Sequence, residues 1–523
     1  MSNSEGAIQI AEQRAVAGHD LRFTGDLAWL TETENVDIQD EFDTLYPSIP
    51  ALPATRDVAS LIEFNVSTTT NFLDLSKSFI NVRCHIESIN TATASTSIKL
   101  VETGADAIFE RIVILANDVV IASAENYGVG SFLSSLVQFS SPQVASSEGL
   151  YLASSDYTLG VAEMTLDDTG NDQVGPADTT TYYDPFTLTN PTNAAAKSLI
   201  NKGSYIRHAM ANIPDGQKKS PIMNLSFIPN VGIWQQPRLI PVGTNLKIQL
   251  YRAPDSYCIH TNGVASTNPL GAQLYIDQIT ASLHYIRPTS ETLQAFLDRW
   301  RALDSVTGLK GALYYPVDRF RIFYGSSISA GLTNTTVNMN GFYSGKRPLW
   351  AIATFTNTGA MSANTTGGKQ NLFSFRSFFD YTTADYASSR NMWTASAGSA
   401  NMNFNGLPLR PRGYGDSAAD PTCYREYLKL CKANSGRGVV LSESHARCMP
   451  NFAIGYPFYV FMFGDATGAA DMQQENVDVV LDFNATISTN TATAYFTGVT
   501  PIIYLAMAEG VSVDASGMWS STF

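Results

Sequence analysis

The sequence predicts an all-β protein built as two tandem β-sandwiches with short helices and long loops. Three observations carry this expectation. Apolar and polar residues alternate: Ile62, Phe64 and Val66 are separated by Glu63 and Asn65, and Ile80, Val82, Cys84 and Ile86 by Asn81, Arg83 and His85. A period of two describes a strand with one face in a core and the other wet. The chain has 523 residues, too many for one hydrophobic core, which stops growing at about 250–300 residues. The two halves also share a plan of strands, a long loop, a short helix and a closing strand pair. LKIQLYR and QITASLHYI in the first half are matched in pattern, not in residue identity, by VDVVLDF and PIIYLAM in the second.

Residues 1–55 lack sustained periodicity, apart from a possible short helix over Ala7–Ala17, and Pro47, Pro50 and Pro53 impose an extended path. They are read as an N-terminal arm and linker. Residues 61–87 give two half-buried strands joined by a polar turn region. In the strand that follows, Ile112–Leu115 is apolar on both faces, and Asn117-Asp118 is a turn dipeptide. Phe132, Leu133, Leu136 and Val137 fall at helical spacing within Val129–Phe139. Residues 140–220 are polar and turn-rich, a length of irregular chain that marks a contact loop or a loose insertion.

Strands resume at 222–260, where Leu246, Ile248 and Leu250 alternate, and at 271–287, with Ile279, Leu283 and Tyr285 on one face. Pro288 then ends a strand. Ser290 is expected to cap a helix whose Leu293, Phe296, Leu297 and Trp300 form one apolar stripe, with Gly308 as its stop. This helix lies near the middle of the chain, a natural hinge between domains. Beyond it strands are expected at 319–325, 348–356, 372–379, 456–464 and 477–483 and in TPIIYLAMAEG. Pro421–Ala433 reads as a helix with Tyr424, Tyr427, Leu428 and Cys431 on one face. The resulting division is arm and linker 1–55, first sandwich 56–288, linker helix 289–310 and second sandwich with C-terminal tail 311–523.

Charged residues make up 15% of the chain, below the usual quarter, and aromatics 11%. A Ser/Thr/Asn-rich surface with few ions is inexpensive to desolvate against other copies of itself. The net charge is −14, and residues 1–50 hold ten acids against Arg14 and Arg22. That segment repels a duplex or an anionic lipid surface, so it is not a DNA-binding arm. It is read as tied down, with a neighbouring subunit as one possible holder. Cys84, Cys258, Cys423, Cys431 and Cys448 are scattered, with no C-x-x-C, and are expected to be free thiols. No signal peptide and no run of about 18 apolar residues is seen.

No catalytic, cofactor-binding or metal-binding residue is expected. His19, His85, His208, His260, His284 and His445 are isolated; His85 and His284 sit on the polar phase of strands and read as solvated or hydrogen-bonded. Gly367-Gly368-Lys369 lacks the spacing of a phosphate loop. Asp478 and Asp482 share a strand face, as paired glycosidase carboxylates would, and read as solvated. Arg410, Arg412, Arg425, Arg437 and Arg447 form a loose basic cluster, either solvated or meeting a neighbour's acidic arm.

Several segments, in order over roughly 61–510, resemble the double jelly-roll major capsid proteins of the polinton-like virus, adintovirus and virophage branch. IEF followed by FLDLSKSFINVRCHI resembles their opening strands. In QQPRLIPVGTNLKIQLYRAPDSYCI, Arg238, Gly243, Arg252 and Asp255 stand at family positions, with Tyr257 in place of Phe. Tyr315-Pro316-Val317-Asp318-Arg319 resembles the opening of the second jelly roll, GFYSGKRPLWAIATFTNTGAM the stretch that follows, and Val477–Met507 the closing strands.

The resemblance implies two tandem jelly-roll β-sandwiches and a structural role without turnover. It also implies a homotrimer forming a pseudo-hexameric capsomer. Neighbouring capsomers, penton proteins and minor or cement capsid proteins are the implied partners, in an icosahedral shell around double-stranded DNA assembled inside the host cell. Neither direct nucleic-acid binding nor a cofactor is expected, and the resemblance leaves contact with an internal membrane open. Two other classes remain from the residues alone: a carbohydrate-binding or hydrolysing β-sandwich, needing an aromatic platform or paired acids in a cleft, and a trimeric fibre or receptor-binding protein, needing shaft repeats.

Overall fold

The computed structural model describes residues 38–49, 61–88, 98–100, 104–138, 210–211, 213–214, 217–236, 238–261, 272–307, 312–329, 335–345, 348–357, 399–404, 407–408, 425–430, 459–463, 475–483, 498–514 and 516–521. The first half holds β1 (Ile38–Pro47), β2 (Leu61–Ser67), β3 (Phe72–Ser88), β4 (Ile98–Leu100), β5 (Phe109–Ala116), β6 (Val119–Glu125), β7 (Met223–Phe227), β8 (Asn245–Arg252), β9 (Ile259–Thr261) and β10 (Ala272–Pro288). The second holds β11 (Ala312–Tyr324), β12 (Ile328–Ser329), β13 (Thr335–Gly345), β14 (Trp350–Asn357), β15 (Ser399–Phe404), β16 (Leu407–Pro408), β17 (Tyr459–Met462), β18 (Glu475–Phe483), β19 (Gly498–Asp514) and β20 (Trp519–Ser521). Helices α1 (Tyr127–Gln138), α2 (Gly232–Gln235), α3 (Asp255–Cys258) and α4 (Ser290–Thr307) lie in the first half and the link, and a short helix spans 425–430.

The first half forms two four-stranded sheets, ordered β1-β10-β3-β7 and β2-β8-β5-β6. The second forms β11-β19-β14-β17, extended by β12 and β20 on β19, and β13-β18-β15-β16. Taken in chain order, the two halves repeat one topology strand for strand: β1 corresponds to β11, β3 to β14, β10 to β19, and likewise through the other sheet. Each half is an eight-stranded jelly roll, so the fold is two jelly rolls in tandem.

Every pairing among these strands is antiparallel, so successive connections alternate between the two ends of each sandwich. In the first half the chain leaves β1, β3, β6 and β8 at one end of the sandwich and β2, β5 and β7 at the other, where the turns 68–71 and 117–118 lie. The short β4–β9 ribbon belongs to the first of these ends. In the second half the corresponding strands leave in the same alternation.

Alternation produces the first core as expected. Ile80, Val82, Cys84 and Ile86 of β3 and Leu246, Ile248 and Leu250 of β8 are buried, each side chain contributing roughly 1.5–3 kcal/mol. A register shift between Ile276 and Gln278 lets β10 change phase, so Leu274 and Ile276 share the core with Ile279, Ala281 and Leu283. Ile112, Val113 and Ile114 are all buried, as the apolar run predicts. Asn117 (φ 47°) and Asp118 (φ 66°) make the left-handed pair of a two-residue hairpin.

The structure corrects three sequence readings. Residues 38–47, read as part of the N-terminal arm and linker, form β1 and pair with β10 from Ile38↔Pro288 to Pro47↔Thr280. Their alternation (Phe42, Thr44 and Tyr46 half-buried, Glu41, Asp43 and Leu45 exposed) is carried by acids on the wet face, which masked it. The cap of α4 is Thr289 rather than Ser290: its Oγ1 accepts from the Thr292 amide at 3.3 Å. Nor is α4 a free hinge. Phe296 sits edge-on to Phe72 at 5.2 Å, and Phe296 and Trp300 are buried in the first core. The predicted Ala7–Ala17 helix, most of the 140–220 loop, the 372–379 strand, and Gly308, Cys423, Cys431 and Cys448 lie outside the described residues.

Candidate assembly faces

The second half presents two opposite faces of its β11-β19-β14-β17 sheet to different neighbours. On one, Phe323 meets Phe342 and Tyr343 of β13 at 5.3 and 6.1 Å, which closes the second sandwich. On the other, the pairing rows Phe320–Ala506–Trp350 and Ile322–Tyr504–Ile352 set side chains together. Phe320 stacks on Tyr504 at 5.2 Å and Trp350 lies 5.6 Å from it. This aromatic face is turned to the first half. At Gly130 of α1, a β-carbon would stand 3.4 Å from Ile322 and 3.8 Å from Tyr504. Ile121, Val231 and Ile233 line a cavity together with Val317, Phe320 and Ile322.

Polar pins fix this joint. The Asn117 side chain donates to the Gly517 carbonyl at 2.8 Å and accepts from the Asn245 amide at 2.8 Å, so one hairpin tip ties β8 to the turn before β20. That turn is held by Asp514 Oδ1, which accepts from the Ser516 and Met518 amides at 2.9 Å. Trp519 is buried and stacks on Tyr315 at 5.5 Å, and the Tyr315 hydroxyl donates to the Leu239 carbonyl at 2.9 Å. The Arg238 guanidinium donates to the Tyr314 carbonyl. Two segments that carry the family resemblance, around Arg238 and Tyr315, therefore touch each other at the joint.

The remaining family-like residues build the first sandwich. Gly243 adopts φ 82°, which favours glycine, and its amide donates to the Thr68 carbonyl at 2.5 Å. Arg252 is buried and donates to Asp255 at 2.6 Å and to the Leu274 carbonyl. Burial pushes the Asp255 carboxyl above the usual range although Arg252 pulls it down. Tyr257 is half-buried against the same core. Burial also pushes the Cys84 thiol up to about 12 and raises that of Cys258, so both described cysteines are free, buried and unreactive.

The outer face of the equivalent first-half sheet, β1-β10-β3-β7, is polar. His85 lies between two carboxylates, Nδ1 2.9 Å from Asp277 and Nε2 3.0 Å from Glu87, and stacks on Tyr275. Lys219 reaches Glu87 at 2.6 Å; that hydrogen bond, then the one from His85, holds the Glu87 carboxyl below its ordinary range. His284 is held alike, with Nδ1 2.9 Å from Asp43 and Nε2 3.3 Å from Glu41, and Lys77 stands 3.6 Å from Glu41. Both histidines are thus hydrogen-bonded and neither is simply solvated. The acidic strand β1 is tied down by its own sheet. Asp478 and Asp482 lie on β18, paired opposite Asn403 and Ser399. Among the described residues no cluster of His, Cys, Asp or Glu is arranged to hold a metal. Arg425 is exposed on the short helix; the other four members of the basic cluster lie outside the described residues. The joint itself escaped sequence reading, although the unbroken apolar run in TPIIYLAM signals a strand covered on both faces.

No protein-family model matches the sequence, and no curated protein matches it. Solved structures do. A chain of the Sputnik virophage, determined by cryo-EM, superposes with a TM-score of 0.53 at 11% identity, covering 93% of this chain and 89% of that one. The Faustovirus major capsid protein gives 0.48 at 11% identity, with 98% of each chain covered. The mavirus major capsid protein gives 0.45 at 9% identity over 94% of this chain and 93% of that one. The Sputnik superposition spans both halves and shows a shared fold, the same tandem jelly roll that the sequence resemblance implied.

Proposed function

We propose that this protein is a major capsid protein of a double-stranded DNA virus, a structural component of the virion without turnover. The observation that carries the reading is the repetition of one eight-stranded jelly roll, strand for strand, within a single chain whose halves are fixed by an apolar joint. Two like blocks held at a set angle give each chain two near-equivalent positions in a lattice. Three chains then make a six-block capsomer through a heterologous interface that closes at three. We take the first jelly roll to begin at β1 and to run to 288, α4 to be the link over 289–310, and the second jelly roll to occupy 311–523.

The end of the first sandwich at which the chain leaves β1, β3, β6 and β8, with its counterpart in the second, would face outward in a shell. Neighbouring capsomers and the penton and cement proteins would meet the flanks. Native mass spectrometry tests the reading. A trimer of 56.7-kDa chains has a mass of 170.1 kDa, and a six-lobed outline in negative stain, with shell-like particles on assembly, is the expected result. A chain that stays monomeric at every salt and pH tried overturns it.

A further inference from the structure

We propose that His284 is a proton-operated latch on the edge strand β1: its imidazolium fastens β1 to β10, and loss of that proton loosens the strand. The device lies within one chain and stands apart from the capsomer reading.

Strand β1 ends its sheet, and among the described residues it pairs with β10 and with no other strand. It is also shallowly seated. Its counterpart β11 buries Leu313, Tyr315 and Val317, whereas the inward Phe42, Thr44 and Tyr46 of β1 are only half-buried. On the inner face the strand is held by Phe42 stacked on Tyr285 at 5.7 Å and by the Tyr46 and Tyr285 hydroxyls, 2.7 Å apart. On the outer face the ties are ionic, and His284 is at their centre. A segment with few buried contacts opens locally at small cost, so one outer-face contact weighs heavily on how often β1 opens.

The geometry around His284 calls for a proton on each ring nitrogen. Nδ1 is 2.9 Å from Asp43 and Nε2 is 3.3 Å from Glu41. Ionised carboxylates only accept and a neutral imidazole has one N–H, so only the imidazolium donates to both. Both acids belong to β1 and His284 to β10, so the two hydrogen bonds span the pairing that holds the edge strand. Both are charge-assisted, the stronger kind. From β3, Asp74 stands opposite His284 in register, and Lys77 lies 3.6 Å from Glu41. The flanking strands thus set three carboxylates and one ammonium around the ring. Once the ring is neutral, one nitrogen turns a lone pair toward a carboxylate, and a hydrogen bond becomes a repulsive contact. Strand β1 is therefore held at low pH and eased as the pH rises through histidine titration.

His85 is bracketed in the same way, by Asp277 and Glu87, but it is no latch. Its partners lie on β10 and on β3 itself, the two interior strands of the sheet. Lys219 also gives Glu87 a second cation at 2.6 Å. His85 is thus the natural control.

Hydrogen exchange of the full chain, followed at peptides covering 38–47, tests the latch. Protection is taken relative to the unstructured rate at each pH, between about pH 5 and about pH 9, a span that brackets histidine titration. Protection of 38–47 in the parent is expected to fall about three- to tenfold over that span, the equivalent of one hydrogen bond. In His284→Gln it should be low and flat, and in His85→Gln the fall should persist. Asp43→Asn, at an exposed position, gives a second reading: an amide both donates and accepts, so it suits a neutral ring, and the fall should shrink to less than about twofold. Protection independent of pH in the parent overturns the proposal. So does a fall that survives undiminished in His284→Gln and Asp43→Asn, or one that vanishes in His85→Gln.

Discussion

Strands β10 and β19 hold the same place in the two jelly rolls, and each has 17 residues, yet they are buried differently. Thr500–Met507 of β19 is buried without interruption, whereas Gln273, Thr280 and His284 of β10 are half-exposed and Asp277 and Gln278 exposed. The difference does not come from the strand or its sheet, which are equivalent. It comes from what lies on the outer face: the first half covers β19, and in the isolated chain the outer face of β10 is open. A strand covered on both faces reads as a continuous apolar run, and one covered on a single face alternates. The two strands thus record in sequence which outer face is an internal joint and which is a surface.

Removing an aromatic ring from the covered face is the strongest way to break the contrast. Tyr504→Ala is expected to cost about 3–5 kcal/mol, the range for deleting a large buried aromatic, read as a lower urea midpoint. His284→Ala, in the equivalent open face, removes a partly exposed hydrogen-bonded side chain and should cost about 0.5–1.5 kcal/mol. Comparable losses at both sites would mean that the joint is not the better packed face.

Gly130 sharpens the comparison by size. The β-carbon of Gly130→Ala falls at ordinary contact distance from Ile322, and alanine favours the helix by up to about 1 kcal/mol. That variant should be neutral or stabilised. Gly130→Ile has no room for its branches and is expected to cost about 1–3 kcal/mol by overpacking. Small-angle scattering should show the two halves moved apart in Gly130→Ile alone.

Asn117→Gly tests the polar pin separately from the hairpin. Glycine keeps the positive φ but deletes both side-chain hydrogen bonds, each contributing about 0.5–1.5 kcal/mol net. Calorimetry should show the unfolding of the two halves further separated in temperature than in the parent as they uncouple. Unchanged unfolding would place the coupling wholly in the apolar contact.

The tandem architecture was legible because alternation is local: Ile80 to Ile86 and Leu246 to Leu250 announce their buried face without reference to any partner. The same locality explains the misses. In β1 the inward residues Phe42 and Tyr46 are flanked by Asp40, Glu41 and Asp43, and charge density outweighed period. Thr289 was passed over because it and Ser290 are both good caps, and backbone geometry decides between them. The joint depends on residues more than 100 positions apart, such as Asn117 and Gly517, and no local pattern brings those together. Arg238 and Tyr315 stood out only through family resemblance; the hydrogen bonds from Arg238 to the Tyr314 carbonyl and from Tyr315 to the Leu239 carbonyl give each a structural role at the joint.

The open face makes the smallest and most pH-dependent contribution. Glu87 accepts from Lys219 and from His85, and its folded carboxyl is held below the ordinary range. A carboxylate with a lowered folded value stabilises the fold at pH above its unfolded value, and that contribution disappears as pH falls through the folded value. Glu87→Gln removes the ionised partner, so the parent should be more stable than the variant at pH 7. The gap should close as the pH drops below the usual carboxylate range, where the parent too is protonated. Denaturant midpoints of the two proteins at neutral and strongly acid pH measure this. Tyr504→Ala provides the contrast, since its cost is one of packing and should persist at both values. A Glu87→Gln gap independent of pH would show that the cluster acts by shape and hydrogen bonding, with no contribution from charge.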